Sequence, residues 1–360
     1  MSTLKILSVN KDIKVAETID SDFYLNNEYY NLSINEIFNK SYQFITDTIS
    51  FNSIQYPFIF LKNSINEHLL LSRVENQVLC LHNVCTHRGN ILCLKESSEN
   101  KIKCNYHGRK FDLKGKFLSM PGFEDVENFP TKKDNLIEFP VKIWRNFIFT
   151  GINPKINIDN FFLDIDNRLG WYPFEKLELI KNNSTDYEID AHWALYCENY
   201  LEGLHIPHVH KGLNADIDYK SYKTELLDNG VLQYTCSSND DKRLPIPDGY
   251  INSDKNIYAY YYWLFPNMMF NFYSWGLSIN IIEPISQNKT RIRFLSYMIS
   301  GSKQVVNAPS SVDVVEKEDQ YIVQNVQKGI NSNFYNKGRY SARYEKGTHH
   351  FHRLICRYLK

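Results

Sequence analysis

Two short loops each offer one cysteine and one histidine: Cys85-Thr86-His87-Arg88-Gly89 and Cys104-Asn105-Tyr106-His107-Gly108. Two thiolates and two imidazoles can serve two kinds of metal chemistry. In one kind of 2Fe-2S cluster two thiolates hold one iron and two imidazoles the other, so each loop would give one ligand to each iron, and neutral imidazole raises the reduction potential above that of an all-thiolate cluster. A structural zinc ion accepts the same four groups in a tetrahedron, but its modules usually bring Cys-x-x-Cys pairs. Here each cysteine is paired with a histidine, and glycine follows each histidine directly or soon after. The pattern favours the cluster and gives the chain a one-electron relay. The other cysteines, Cys80, Cys93, Cys197, Cys236 and Cys356, show no paired spacing and read as small buried residues.

A second group of potential ligands lies in His192-Trp193-Ala194-Leu195-Tyr196-Cys197-Glu198-Asn199-Tyr200-Leu201-Glu202-Gly203-Leu204-His205-Ile206-Pro207-His208-Val209-His210. Apolar residues at 193, 197, 200, 201 and 204 predict a helix. Pro207 cannot continue it, so the chain should turn there and bring His210 back beside His205. Glu202 and His205, three apart, would share a helix face. Two imidazoles and a carboxylate suit non-haem iron, because that donor set leaves positions open for oxygen and substrate. Glu202 has a rival for the carboxylate role. Residues 311–329 predict a helix with Val315, Ile322, Val323 and Val326 on one face, and Asp319 falls on that face. A buried carboxylate needs a partner, which a metal supplies, as does a lysine or arginine. His208 reads as a pocket or supporting residue.

The elements that position these groups fall into two parts. From about residue 51 to 150, short apolar runs such as Phe58-Ile59-Phe60-Leu61 alternate with Asn-, Gly-, Lys- and Glu-rich turns, a β-rich pattern that contains both Cys/His loops. Gly151-Ile152-Asn153-Pro154 is the predicted boundary. Residues 34–45 look helical and return to the second domain. The chain has 360 residues, 43% of them hydrophobic, enough for about two domains. Its formal net charge of zero offers no basic field for nucleic acid or an anionic membrane. No signal-peptide core and no spanning apolar run appear, and scattered cysteines suit the cytoplasm. The stretch 258–275 is rich in aromatics (Tyr260, Tyr261, Tyr262, Trp263, Phe265, Phe270, Phe272, Tyr273, Trp275). It reads as strand first and as a possible cage for a quaternary ammonium second. His349, His350 and His352 read as packing or surface residues. No Gly-x-Gly-x-x-Gly or phosphate loop supplies a dinucleotide site.

These motifs resemble the Rieske non-haem iron oxygenase α subunits nearly end to end. The family pattern Asp/Glu-x-x-His-x-x-x-x-His is matched by Glu202, His205 and His210, and its late aspartate by Asp319. The resemblance implies an α+β fold: a β-rich Rieske 2Fe-2S domain at 46–150, a helix-grip-like catalytic domain with an antiparallel sheet at 151–360, and an N-terminal segment, 1–45, packing on the latter. It implies that Cys85, His87, Cys104 and His107 hold the cluster, and that His205, His210 and Asp319 hold a mononuclear Fe(II). Glu202 would then bridge toward a cluster histidine of a neighbouring subunit in a homotrimer. A separate flavin-containing reductase fed by NAD(P)H, with or without a ferredoxin, would supply the electrons. Respiratory Rieske proteins link the two loops by a disulfide from the positions of Asn90 and Tyr106, so the chain resembles the low-potential oxygenase type. It departs from the family at Arg109, where tryptophan is common. The Asn-Tyr-Leu-Glu sequence is closer to the choline and carnitine monooxygenase branch, implying hydroxylation or demethylation of a small amine. Aromatic-ring dioxygenation and pure electron transfer are the alternatives.

Overall fold

The computed structural model describes residues 4–301 and 308–360, the side chains of 308–313 apart. The chain forms two compact units, Asn39–Lys155 and a second built from both ends of the sequence, Met1–Phe38 with Ile156–Lys360.

Ten strands build the Asn39–Lys155 unit: β1 (Gln43–Asp47), β2 (Gln55–Phe60), β3 (Glu67–Val74), β4 (Gln77–His82), β5 (Ile102–Lys103), β6 (Lys110–Phe111), β7 (Phe117–Ser119), β8 (Glu138–Phe139), β9 (Val141–Trp144) and β10 (Phe147–Thr150). They form small sheets ordered β1-β10-β9, β2-β3-β4-β8 and β5-β6-β7. One ligand loop follows β4 and the other joins β5 to β6. Cys85 and Cys104 are buried in a core with Leu70, Leu81, Ile102 and Phe111, so the thiols are held by packing while the loop tips reach outward.

Residues 34–45 are not one helix. A helix ends at Glu36, and β1 already begins at Gln43. Phe44 packs on Phe147 and Phe149 of β10 at ring distances of 5.9 and 5.8 Å, so tertiary pairing overrides local helical tendency. Residues 39–45 therefore belong with this unit and not, as the 1–45 boundary has it, with the other.

The second unit holds α1 (Asp22–Leu25), α2 (Asn27–Glu36), α3 (Asp159–Leu169), α4 (Trp193–Tyr200), α5 (Ile206–Val209), α6 (Lys211–Asp216), α7 (Ala308–Ile330) and α8 (Lys346–Tyr358). Its strands are β11 (Leu177–Leu179), β12 (Thr185–Ile189), β13 (Ile217–Leu227), β14 (Gly230–Ser237), β15 (Ile257–Leu264), β16 (Met268–Tyr273), β17 (Gly276–Ser286) and β18 (Lys289–Ile299). They form an antiparallel sheet, β11-β18-β17-β16-β15-β14-β13, with β12 also on β18. Side chains alternate across a strand, and the two faces differ. Tyr262 and Phe270, paired across strands, pack on Phe161 of α3 at 5.7 and 5.9 Å. On the other face Gln233, Tyr261, Asn271 and Ser278 stand in register. The end of α4 docks there: Tyr200 donates its hydroxyl to Asn271 at 2.6 Å, and Gln233 donates to the Tyr200 carbonyl at 2.7 Å.

Helix α7 lies against α4. Gln327 accepts from the His192 backbone N–H at 2.8 Å and Gln324 from that of Asp190 at 3.2 Å. The inward stripe of α7 runs through Asp319, Val323, Gln327 and Ile330, whereas Val326, expected on it, is exposed. The face is turned because the two glutamines, polar by composition, accept from the N–H groups of the N-cap His192 and of Asp190, which precedes the helix.

Candidate functional site

Helix α4 stops at Tyr200, well before Pro207, which instead sits in the first turn of α5. The chain turns at Leu201–Gly203 because Glu202 folds back on its own backbone. Its Oε2 accepts from the N–H groups of Leu204 and His205, the latter at 3.2 Å. Glu202 and His205 therefore share a turn and not a helix face. Glu202 Oε1 also meets His205 Nδ1 at 2.6 Å. His210, at the end of α5, returns as expected: its Nε2 lies 3.1 Å from His205 Nε2 and 3.0 Å from Asp319 Oδ1. His205 Nε2 is 3.8 Å from the same oxygen.

Two residues that the sequence reading passed over complete this group. Glu318 Oε2 meets His210 Nδ1 at 2.8 Å, and Asn199 donates to Asp319 Oδ1 at 2.7 Å. Glu318 stands next to Asp319 in the sequence, and Asn199 lies three residues before Glu202. His208 is exposed and does not reach the cavity wall.

The donor set fits a divalent iron. With a carboxylate at each Nδ1, both rings carry their proton there and aim the lone pair of Nε2 inward. Two lone pairs and a carboxylate oxygen then face one another at 3.0 to 3.8 Å, an arrangement that a cation relieves. Burial pulls the His210 pKa down, but Asp319 and Glu318 outweigh it and hold it above the usual histidine value, which marks the excess of negative charge. Two histidines and one carboxylate suit Fe(II) with open positions.

Beside this group lies a cavity of about 740 Å³. Of the nine aromatics read as strand residues first and as a possible cage second, Tyr261, Tyr273 and Trp275 reach the cavity, and Tyr258 joins them. Tyr260, Tyr262, Phe270 and Phe272 are buried on the opposite pleat, whereas Trp263, on the pleat of Tyr261, and Phe265, past the end of β15, pack on Phe351 of α8. Tyr258 shares the side of Tyr261 because the register slips between Thr235 and Cys236, leaving it bulged. Tyr273 and Trp275 stack at 5.0 Å with ring planes 9° apart. Tyr196, Tyr200 and Tyr222 add to the wall from α4 and β13. Burial pushes the hydroxyls of Tyr200, Tyr222, Tyr261 and Tyr273 far up, so these groups face a ligand as neutral phenols. Glu316 brings a carboxylate to the same wall and accepts from the Tyr196 hydroxyl at 2.5 Å.

In the other unit the two ligand loops repeat one geometry. Cys85 N–H donates to the Asn90 carbonyl and Cys104 N–H to that of Arg109, both at 2.8 Å. Gly89 and Gly108 each donate back to the cysteine carbonyl at 3.0 Å. Both glycines have positive φ, 71° and 75°, which closes the turn at no Cβ cost. The rings of His87 and His107 stand 4.9 Å apart, and His107 is exposed. Burial pushes the Cys85 thiol up. Cys104 is held below the usual value despite burial, because the N–H groups of Tyr106 and His107 and the Cys85 and Asn90 side chains favour its thiolate. Asn90, at a position where respiratory proteins have a disulfide cysteine, instead reaches Cys104 Sγ at 3.7 Å. Two buried cysteines with two outward histidines on mirrored loops fit a mixed-ligand 2Fe-2S cluster.

Such a pair of centres, one that carries an electron and one with open iron positions beside a cavity, defines a two-centre iron oxygenase. Residues 177–360, the C-terminal half, match the ring hydroxylating alpha subunit (catalytic domain) family, and residues 59–130 match the Rieske [2Fe-2S] domain. The chain belongs to the ring-hydroxylating alpha-subunit family of Rieske non-haem iron oxygenases, with a Rieske cluster and a mononuclear iron as cofactors. It is 27% identical to the chloroplastic choline monooxygenase of Amaranthus tricolor over 93% of this chain and 76% of that one. It is 26% identical to the carnitine monooxygenase oxygenase subunit of Escherichia coli (strain K12) over 96% and 94%. In structure it is similar to a quaternary ammonium Rieske monooxygenase studied for carnitine oxidation and inter-subunit electron transfer, with a TM-score of 0.80 at 21% identity over 98% and 100% of the two chains. Naphthalene 1,2-dioxygenase from Rhodococcus sp. gives 0.74 at 12% identity over 95% and 94%. Among the described residues no helix is long and apolar enough to cross a membrane.

Proposed function

We propose that this chain is the oxygenase component of a monooxygenase acting on a small quaternary ammonium compound. The observation that carries this reading is the cavity wall, where neutral tyrosines and Trp275 stand with the Glu316 carboxylate beside the candidate iron ligands. A quaternary ammonium has no N–H to donate, so ring faces and an anion are what can recognise it. The curated relatives are named for choline and carnitine, which points the same way.

Cys85, His87, Cys104 and His107 hold the cluster in this reading, and His205, His210 and Asp319 hold the mononuclear iron. When bound, the two centres supply one-electron transfer and oxygen activation. Glu202 and Glu318 fix the tautomers and orientation of His205 and His210, and Asn199 fixes Asp319. The phenol wall excludes water and presents the substrate. Glu202 is also the link toward a cluster histidine of a neighbouring subunit in a homotrimer, a role supported by the study of inter-subunit transfer in the carnitine-oxidising enzyme. The electrons come from a separate flavin-containing reductase fed by NAD(P)H, since the relatives are named as oxygenase subunits. None of the seven cysteines is in a disulfide, which suits a cytoplasmic setting.

Electron paramagnetic resonance of dithionite-reduced protein with nitric oxide reports both centres in one sample. A Rieske signal together with a high-spin ferrous-nitrosyl signal, the latter lost in Asp319→Ala, is the expected outcome. Substrate class is then tested by oxygen and NADH consumption with added reductase. Choline, carnitine or glycine betaine should give consumption matched to product, and 3,3-dimethylbutan-1-ol, which has the shape of choline without its charge, should not. Consumption matched to product from aromatic acids alone would overturn the substrate reading.

A further inference from the structure

Arg109 follows His107 and Gly108, and its side chain is only 2% exposed. Its guanidinium lies over the rings of Phe117, Phe129 and Phe111 at 4.8, 5.4 and 5.7 Å. Asp134 Oδ1 meets the charge at 2.7 Å. Asp134 is itself fixed, because its Oδ2 accepts from the Thr131 N–H at 2.7 Å and from the Thr131 hydroxyl at 3.1 Å. The main-chain carbonyl of Asp134 accepts twice more: from Arg109 at 3.3 Å and from the Thr86 hydroxyl at 2.8 Å. Thr86 lies between Cys85 and His87. One residue outside both ligand loops therefore receives a side chain from each. A buried guanidinium is stable only where its fork is met by an anion and by carbonyl oxygens, so this contact defines one geometry for the pair of loops.

We propose that Arg109, through Asp134, is a positioning residue for the iron–sulfur cluster: it ties loop 85–90 to loop 104–109 and raises the cluster's reduction potential by its charge. The inference rests on the reading that Cys85, His87, Cys104 and His107 hold that cluster. The tie does without a covalent bond what a disulfide between the loops would do. The electrostatic part follows from charge alone. Reduction adds one electron, and so one negative charge, to the cluster, and a fixed cation in a poorly solvated surrounding stabilises the reduced form. Asp134 offsets part of this effect.

The test uses the full-length cluster-loaded protein, a redox titration followed by the Rieske resonance, and the rate at which a chelator bleaches the visible absorbance. Arg109→Gln should lower the midpoint potential and speed bleaching several-fold. Asp134→Asn leaves the guanidinium without its counter-charge and should shift the potential upward. Arg109→Lys keeps the charge but not the fork, so its potential should lie near that of the parent while bleaching is still accelerated. Thr86→Val should accelerate bleaching alone. Potentials that move the same way in Arg109→Gln and Asp134→Asn, or in neither, overturn the proposal, as does unchanged bleaching in all four variants. A parent protein without a Rieske resonance would overturn the ligand reading beneath it.

Discussion

At the scale of single residues, the chemistry rests on which nitrogen of each histidine faces inward. Glu202 at His205 and Glu318 at His210 settle it, each by a contact under 3 Å to Nδ1. Glu202 does more than orient a ring, because the same carboxylate caps the turn that carries His205. Glu202→Gln keeps the shape and one acceptor but removes the charge that makes His205 a stronger donor. Both metals should stay bound, with turnover falling roughly 10–100-fold, the usual cost of losing such an outer partner. Metal analysis alongside single-turnover reoxidation of the reduced cluster checks this. An unaltered electron-transfer rate would remove Glu202 from the path. Glu318→Gln should act on the same histidine pair from the other side, weakening retention of mononuclear iron by a similar factor while the Rieske resonance is untouched. Iron content per cluster after dialysis measures that, and full retention would count against a tautomer-fixing role.

At the scale of elements, the turn between α4 and α5 decides whether the ligands converge. A Cβ on Gly203 would sit 2.9 Å from the ring of Tyr222, itself part of the cavity wall. Gly203→Ala must therefore push either the turn or the ring. We expect a stability loss of about 1–3 kcal/mol, the range for overpacking, with mononuclear iron lost and the cluster kept. Denaturant unfolding and a metal assay read the two effects, and a variant that retains its iron would show that the turn has slack. This turn also shows where the sequence was legible and where it was not. The convergence of His205 and His210 could be read, but from a turn expected at Pro207, which instead lies within α5. The stop at Tyr200 could not, because it comes from Glu202 capping its own backbone and from Tyr222, a residue on a distant strand. The same holds for residues 34–45, where Phe44 leaves the helical pattern to pair β1 with β10. Likewise on α7 the inward position of Asp319 was legible from its spacing to Val315 and Val323, but the exposure of Val326 was not, since Gln324 and Gln327 are claimed by the backbone of residues 190 and 192.

At the scale of the whole molecule, the two sets of candidate ligands could be picked out because their members stand in short strings of sequence, whereas the cavity draws its wall from α4, α7, β13, β15 and β16 and needs a bulge at Tyr258 that no alternation pattern announces. Polar groups outside the two ligand sets also shape behaviour, and His192 gives the sharpest case. It caps α4, its Nδ1 accepting from the Ala194 N–H at 3.3 Å, and its ring is enclosed by Phe23 and Tyr24 at 5.0 and 5.5 Å. Burial pulls its pKa down to about 3. An unfolded chain binds the proton near pH 6.5, so below that value the unfolded state holds one proton more than the folded state and stability falls with pH. His192 thus stabilises nothing by its charge. It withholds about 2 kcal/mol at pH 5 that is present at pH 7, at roughly 1.4 kcal/mol per pH unit. His350, pulled down to about 4 by burial, acts in the same direction. Asparagine also caps helices well, so His192→Asn should be less stable than the parent at pH 7 for want of the ring contacts, yet lose about 2 kcal/mol less on going to pH 5. Urea unfolding of the cluster-loaded protein at both pH values measures the difference, and parallel losses in parent and variant would mean that His192 takes up its proton without unfolding.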